Sequence, residues 1–150
     1  MLLVRDSCMV ISALVVTISF AAYVPARADD TDAKNFITVV TGSVPLSGDS
    51  NIGAVSRQFE IIRDYCHSTS HGASIGDKIA KSHSLLKVQQ SLLVLLSDFT
   101  RIARAQCSRV DDSTLLSLYV LERNSGASHR TTVEKLSRNP TALIAKWSSR

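Results

Sequence analysis

The chain has 150 residues, with 17 basic and 13 acidic side chains for a net charge of +4, three cysteines and 45 % hydrophobic residues. That length suits one domain able to bury a core without a metal, and no aromatic residues interleave with the bases to stack on nucleobases, so nucleic acid is not an expected partner. No phosphate-cradling glycine run, no G-x-S-x-G turn and no stand-out glutamate pair occurs, so the sequence offers no motif for phosphoryl transfer, serine hydrolysis or glycan cleavage.

The first element reads as a targeting segment. Arg5 is offset by Asp6, the stretch Cys8 to Val24 is almost wholly apolar, and Ala26-Arg27-Ala28 gives the small-x-small pattern of a signal peptidase site. The apolar run falls short of the roughly 20 residues a spanning helix needs, and it meets Pro25 and then Asp29, Asp30 and Asp32. Residues 1–28 are therefore expected to be a cleaved secretion signal, with a mature protein starting at Asp29 in the periplasm or outside the cell. Cys8 lies at the head of the apolar run and not after it, so it is not expected to be a lipid-attachment site. Excision removes Met1, Met9 and Cys8 and leaves a mildly basic chain with two cysteines.

Residues 29–50 read as a less regular N-terminal arm. Asp32 offers a cap and Gly42 a terminator for a helix to Thr41, whereas the β-branched run Ile37-Thr38-Val39-Val40 favours extension. Residues 51–150 read as a single all-α domain, a small bundle of about five helices. Ile52, Val55, Phe59, Ile62 and Cys66 recur at helical spacing, with Asp49, Ser50 or Asn51 as cap. A Ser/Thr/Gly-rich stretch from Ser68 to Gly76 ends that helix. Between Gly76 and Gln106 the apolar phase shifts near Ser82-His83-Ser84. The shift predicts a short helix and then a longer one from Leu85, whose stripe runs Leu85, Val88, Leu92, Leu95, Phe99, Ile102. Leu92 to Leu96, apolar all round, is expected to be deeply buried. Asp98 with Arg101 reads as a surface i,i+3 pair. Asp111 or Asp112 caps a helix ended by Asn124 to Gly126. Thr131 with Glu134 suggests a capping box, and Asn139-Pro140 opens a last short helix.

The cysteines are the strongest chemical signal. An exported chain with one thiol pair forms a disulfide, here Cys66 to Cys107, and their wide separation does not fit a C-x-x-C redox motif. A single unbroken helix from Gly76 to Gln106 would carry Cys107 far from Cys66. The break expected near Ser82 to Ser84 lets the chain return and set both cysteines at one end of the bundle.

His67, His71 and His83 form the alternative constellation, three imidazoles that suit zinc or copper. Cys66 cannot join them while it is half of a disulfide, and the Ser/Thr filler around His71 suggests a polar loop. No cofactor is expected. The C-terminal fifth is a basic pole, in which Arg130, Lys135, Arg138 and Lys146 form the candidate partner surface, facing an envelope or extracellular protein or another anionic surface. The sequence thus favours an exported, non-catalytic binding or accessory protein of the cell envelope acting through a helical surface. A periplasmic metal-binding protein using His67, His71 and His83 is the first alternative. A cell-envelope hydrolase is the second, and it requires a histidine and a carboxylate brought together in a cleft.

Overall fold

A computed structural model describes residues 28–46, 48–67 and 72–149. Residues 1–27, most of the targeting segment, and His71 lie outside them. The described residues form seven helices and no strand: α1 Ala28–Thr41, α2 Ser50–Tyr65, α3 Gly72–Ser84, α4 Leu92–Gln106, α5 Asp112–Asn124, α6 His129–Arg138 and α7 Pro140–Ser148. The all-α expectation holds, with more helices than the sequence pattern resolved.

Most helix starts follow cap chemistry that is local in sequence. Asp49 accepts from the Asn51 amide at 2.8 Å, Asp111 from the Thr114 amide at 2.9 Å and Asn139 from the Ala142 amide at 3.1 Å, each satisfying a donor the helix itself leaves open. The Thr131–Glu134 capping box is corrected. Ser128 is the cap, accepting from the Thr131 amide at 3.1 Å, so Thr131 lies inside α6, and Glu134 pairs instead with Arg130 one turn back.

The ambiguous stretch after Asp32 is helical. Ala33, Phe36 and Ile37 are buried against α2 and α3, and that burial outweighs the β-branched preference for extension. Gly42, at φ 72°, ends α1 in the left-handed conformation, its amide bonded to the Thr38 carbonyl at 2.8 Å. The expected arm is therefore a packed helix followed by an irregular link.

The expected interruption is present, although it lies later. Helix α3 continues to Ser84, residues 85–91 are non-helical, and Ser91 caps α4 by accepting from the Val94 amide at 3.3 Å. Leu85 and Val88 thus leave the stripe assigned to them, and Leu85 is exposed. The cause is tertiary: Asn124 accepts from the Lys87 amide at 2.7 Å and donates to the Leu85 carbonyl at 2.9 Å, taking over backbone groups that a helix would have paired internally. Within α4, Leu95 and Leu96 are fully buried while Val94 is exposed, so the run from Leu92 is not enclosed on every side.

Each helix packs on its sequence neighbour and on the next but one, which generates two layers. One holds α2, α4 and α6; the other holds α1, α3, α5 and α7. Side-chain registers set the directions. Gln58 meets Thr100, and Cys66 is bonded to Cys107, so α2 and α4 run parallel. Asp98 meets His129, and Gln106 donates to the Ser137 carbonyl at 2.6 Å, so α4 and α6 do likewise. Lys78 pairs with Asp112 across α3 and α5 at 2.7 Å. The architecture is a side-by-side stack of antiparallel helical hairpins, formed without a sequence repeat. The Cys66–Cys107 disulfide, with Cα atoms 4.4 Å apart, joins the C-terminal ends of α2 and α4, which places both cysteines at one end of the bundle.

Candidate functional site

Beside α4 lies a buried polar hub. Asp98 is only 6 % exposed, which overturns its reading as a surface partner of Arg101. Its Oδ2 accepts from the Tyr119 hydroxyl at 2.7 Å and from Gln90 Nε2 at 3.4 Å. Gln90 Nε2 also reaches the Tyr119 oxygen at 2.7 Å, and Gln90 Oε1 accepts from Arg123 Nε at 3.0 Å. The Gln90 carbonyl meets His83 Nε2. A carbonyl only accepts, so Nε2 carries the imidazole proton here. One glutamine of the non-helical segment thereby ties α3, α4 and α5 together. Burial pushes the Tyr119 phenol well above its ordinary value; Gln90 partly offsets this, and the bond to the Asp98 carboxylate adds to it.

A second buried acid sits at the centre of the basic pole. Glu122 is fully buried and accepts from Lys135 at 3.0 Å, from Lys146 at 2.5 Å and from the Trp147 indole at 3.0 Å. Burial opposes its charge, yet the hydrogen bonds from Lys146, Lys135 and Trp147 outweigh that penalty and hold the carboxyl below the usual range. Two of the four residues proposed as a partner surface, Lys135 and Lys146, therefore bend their ammonium groups onto Glu122 and clamp α5, α6 and α7, although both side chains stay close to half exposed. Of the other two, Arg130 pairs with Glu134 at 3.1 Å, and Arg138 is exposed.

The described members of the histidine trio are not brought together. His67 follows α2 beside the disulfide, whereas His83 sits in the last turn of α3 against the start of α4. Helix α4, about 22 Å long at 1.5 Å per residue, separates those two ends. Among the described residues no group of three or more His, Cys, Asp or Glu is placed to hold a metal ion. A histidine does approach a carboxylate elsewhere, His129 Nδ1 lying 3.7 Å from Asp98 Oδ2. That distance exceeds a hydrogen bond, and Asp98 already holds Tyr119 and Gln90.

Of the Asp111-Asp112 pair, Asp111 caps α5, its carboxyl held below the usual range chiefly by the Thr114 hydroxyl, and Asp112 binds Lys78. Grooves open between α1 and α3 along Phe36, Val39 and Ala80, at the 85–91 segment along His83, Leu86 and Gln90, and between α5 and α7. Sequence spacing missed both buried acids. The available signal was a single carboxylate on the apolar side of a helical run, which by itself does not name its partner.

No protein-family model, curated protein or solved structure matches this chain.

Proposed function

We propose that the protein is an exported, non-catalytic binding protein of the cell envelope that engages an acidic face of an envelope or extracellular protein through the outer surface of α2, α4 and α6. The observation that carries the reading is the row of exposed guanidinium groups on that layer: Arg57 on α2, Arg101 and Arg104 on α4, and Arg138 on α6. Among the described residues none of these four side chains has a hydrogen bond or ion pair. The Gln106–Ser137 bond aligns the ends of α4 and α6, so Arg104 and Arg138 share one end of the molecule. Arginine suits such a role because its guanidinium is weakly hydrated and binds carboxylates in a two-pronged way.

Export rests on the A-x-A site ending at Ala28 and on the cysteine pair, which suits an oxidising compartment. Cleavage there removes only the first residue of α1 and leaves Asp30, whose carboxylate accepts from Ser56 at 2.6 Å.

The test is affinity capture from envelope extract with the oxidised protein as bait, beside an R101E/R104E/R138E variant of equal stability. Specific retention by the wild type, lost in the variant and weakened by salt, is expected. Equal capture by both, or none above a reduced and unfolded control, defeats the reading. N-terminal sequencing of the accumulated protein should begin at Asp29, and an intact Met1 species in membrane would refute export by cleavage.

A further inference from the structure

The groove between α5 and α7 has a lining that the arginine face does not share and that the proposed partner contact does not use. It is an open groove of about 330 Å³, walled by Ser113, Thr114, Ser117, Leu118, Ile144, Trp147 and Ser148. A volume of that order takes one or two pyranose rings. No charged side chain lines it, and four of the seven residues bring hydroxyls.

The hydrogen bonds of three of those hydroxyls give the groove a polarity. Ser113 donates to Asp112 at 3.2 Å, Thr114 to Asp111 at 2.6 Å and Ser117 to the Ser113 carbonyl at 2.8 Å. Each has committed its proton within the protein and keeps oxygen lone pairs to accept. The wall therefore suits a ligand that brings several O–H donors. The charges beside the groove are compensated within the protein, Asp112 by Lys78 and Lys146 by Glu122, while Asp111 is held by the Thr114 hydroxyl, so the wall offers no free charge to an ionic ligand.

Trp147 supplies the remaining component. Its indole Nε1 is tied to Glu122 at 3.0 Å, and Lys146 Nζ lies 4.7 Å from the ring centroid, so the ring is held in place before any ligand arrives. Lys146 stands over one face of the ring and the core covers part of it, so the indole surface that lines the groove is the platform for weakly positive C–H faces, and Leu118 and Ile144 extend its apolar floor. A neutral ligand with one C–H face and a rim of hydroxyls is a sugar.

We infer that the α5/α7 groove is a binding site for a neutral saccharide unit, with one pyranose face stacked on Trp147 and its hydroxyls donating to Ser113, Thr114 and Ser117. The chain contains a single tryptophan, so one indole N–H resonance reports on the site. The experiment titrates ¹⁵N-labelled, oxidised protein with N,N′-diacetylchitobiose, with maltose and with inorganic phosphate. Saturable shifts of the Trp147 indole and of amides 113–118 with either sugar, at a dissociation constant of about 0.1–10 mM and with no phosphate effect, are expected. A Ser117→Leu variant, which fills the groove from an exposed position, should weaken the sugar at least tenfold while leaving the other resonances in place. If that variant disturbs the fold, Ser113→Ala with Ser117→Ala provides the same comparison, with a smaller loss. Absence of saturable shifts with both sugars, shifts unaffected by the groove variants, or a response to phosphate in their place would each overturn the assignment.

Discussion

Glu122 shows how one buried side chain can organise the C-terminal half of a small protein. Its carboxylate is taken out of water and compensated by two lysines and an indole, so it stabilises the fold only while ionised. Its carboxyl is held below the ordinary value of about 4.3. The stabilisation is therefore fully present above that value and is lost as pH falls through the lowered one. Urea unfolding measured as a function of pH should show stability declining on the acid side, with a flatter acid limb in Glu122→Gln. At neutral pH that variant should lose about 1–3 kcal/mol, toward the low end because both lysines are close to half exposed. An acid limb of unchanged slope would show that other carboxylates dominate.

Tyr119 gives the opposite sign. Its phenol is raised by burial, so the folded state holds the proton that the unfolded chain releases near pH 10, and stability is lost as pH rises beyond that point. Tyr119→Phe should remove this alkaline loss. It should also cost about 1–3 kcal/mol at neutral pH, because Asp98 keeps only the longer Gln90 bond. Denaturant midpoints at pH 7 and above pH 10 provide both numbers, and equal alkaline sensitivity in the two proteins would assign that loss to another group.

At the scale of elements, the local signals were readable and the remote ones were not. Asp49, Asp111 and Asn139 could be identified as caps because a cap and the amide it serves lie within three residues of each other. The α3–α4 break was visible as a phase shift, yet it was placed several residues early. Its position is fixed by Asn124, more than thirty residues downstream, and by the Gln90 hub, neither of which leaves a periodic trace around Leu85. Asp98 was misread for the same reason: the i,i+3 spacing to Arg101 is local, whereas its real partners come from α5 and from the 85–91 segment. If those remote bonds hold the segment, Gln90→Ala should release it without melting α4, whose own cap is Ser91. Amide exchange at residues 85–90 should accelerate markedly while that of Leu95 to Ile102 stays slow. Uniform acceleration across α4 would show instead that the segment and the helix unfold as one unit.

At the scale of the whole molecule, the all-helical fold was legible from apolar periodicity and caps, and the placement of both cysteines at one end came from a single geometric constraint, the incompatibility of a long straight helix with a short sulfur–sulfur reach. The stack of parallel same-layer helices was not legible, because no repeat marks the hairpins and layer membership depends on contacts between helices that are not sequence neighbours. That stack makes a prediction about the disulfide. Each helix leans on near neighbours, so α1 and α2 meet the rest of the bundle through α3 and α4, and the Cys66–Cys107 bond closes a 41-residue separation between the ends of α2 and α4. By the chain-entropy estimate, closing a loop of this length contributes at most about 4 kcal/mol. Cys107 is buried while Cys66 is only partly so, which makes paired replacement by serine gentler than opening a cavity deep in the core. A Cys66→Ser/Cys107→Ser variant should keep its helical circular dichroism at room temperature but unfold at a clearly lower urea concentration. Reductant should shift the wild type by a similar amount and leave the variant unmoved. A wild-type midpoint indifferent to reductant would mean that the packing of α2 on α4 holds this end of the bundle by itself, and that the disulfide adds nothing to the equilibrium.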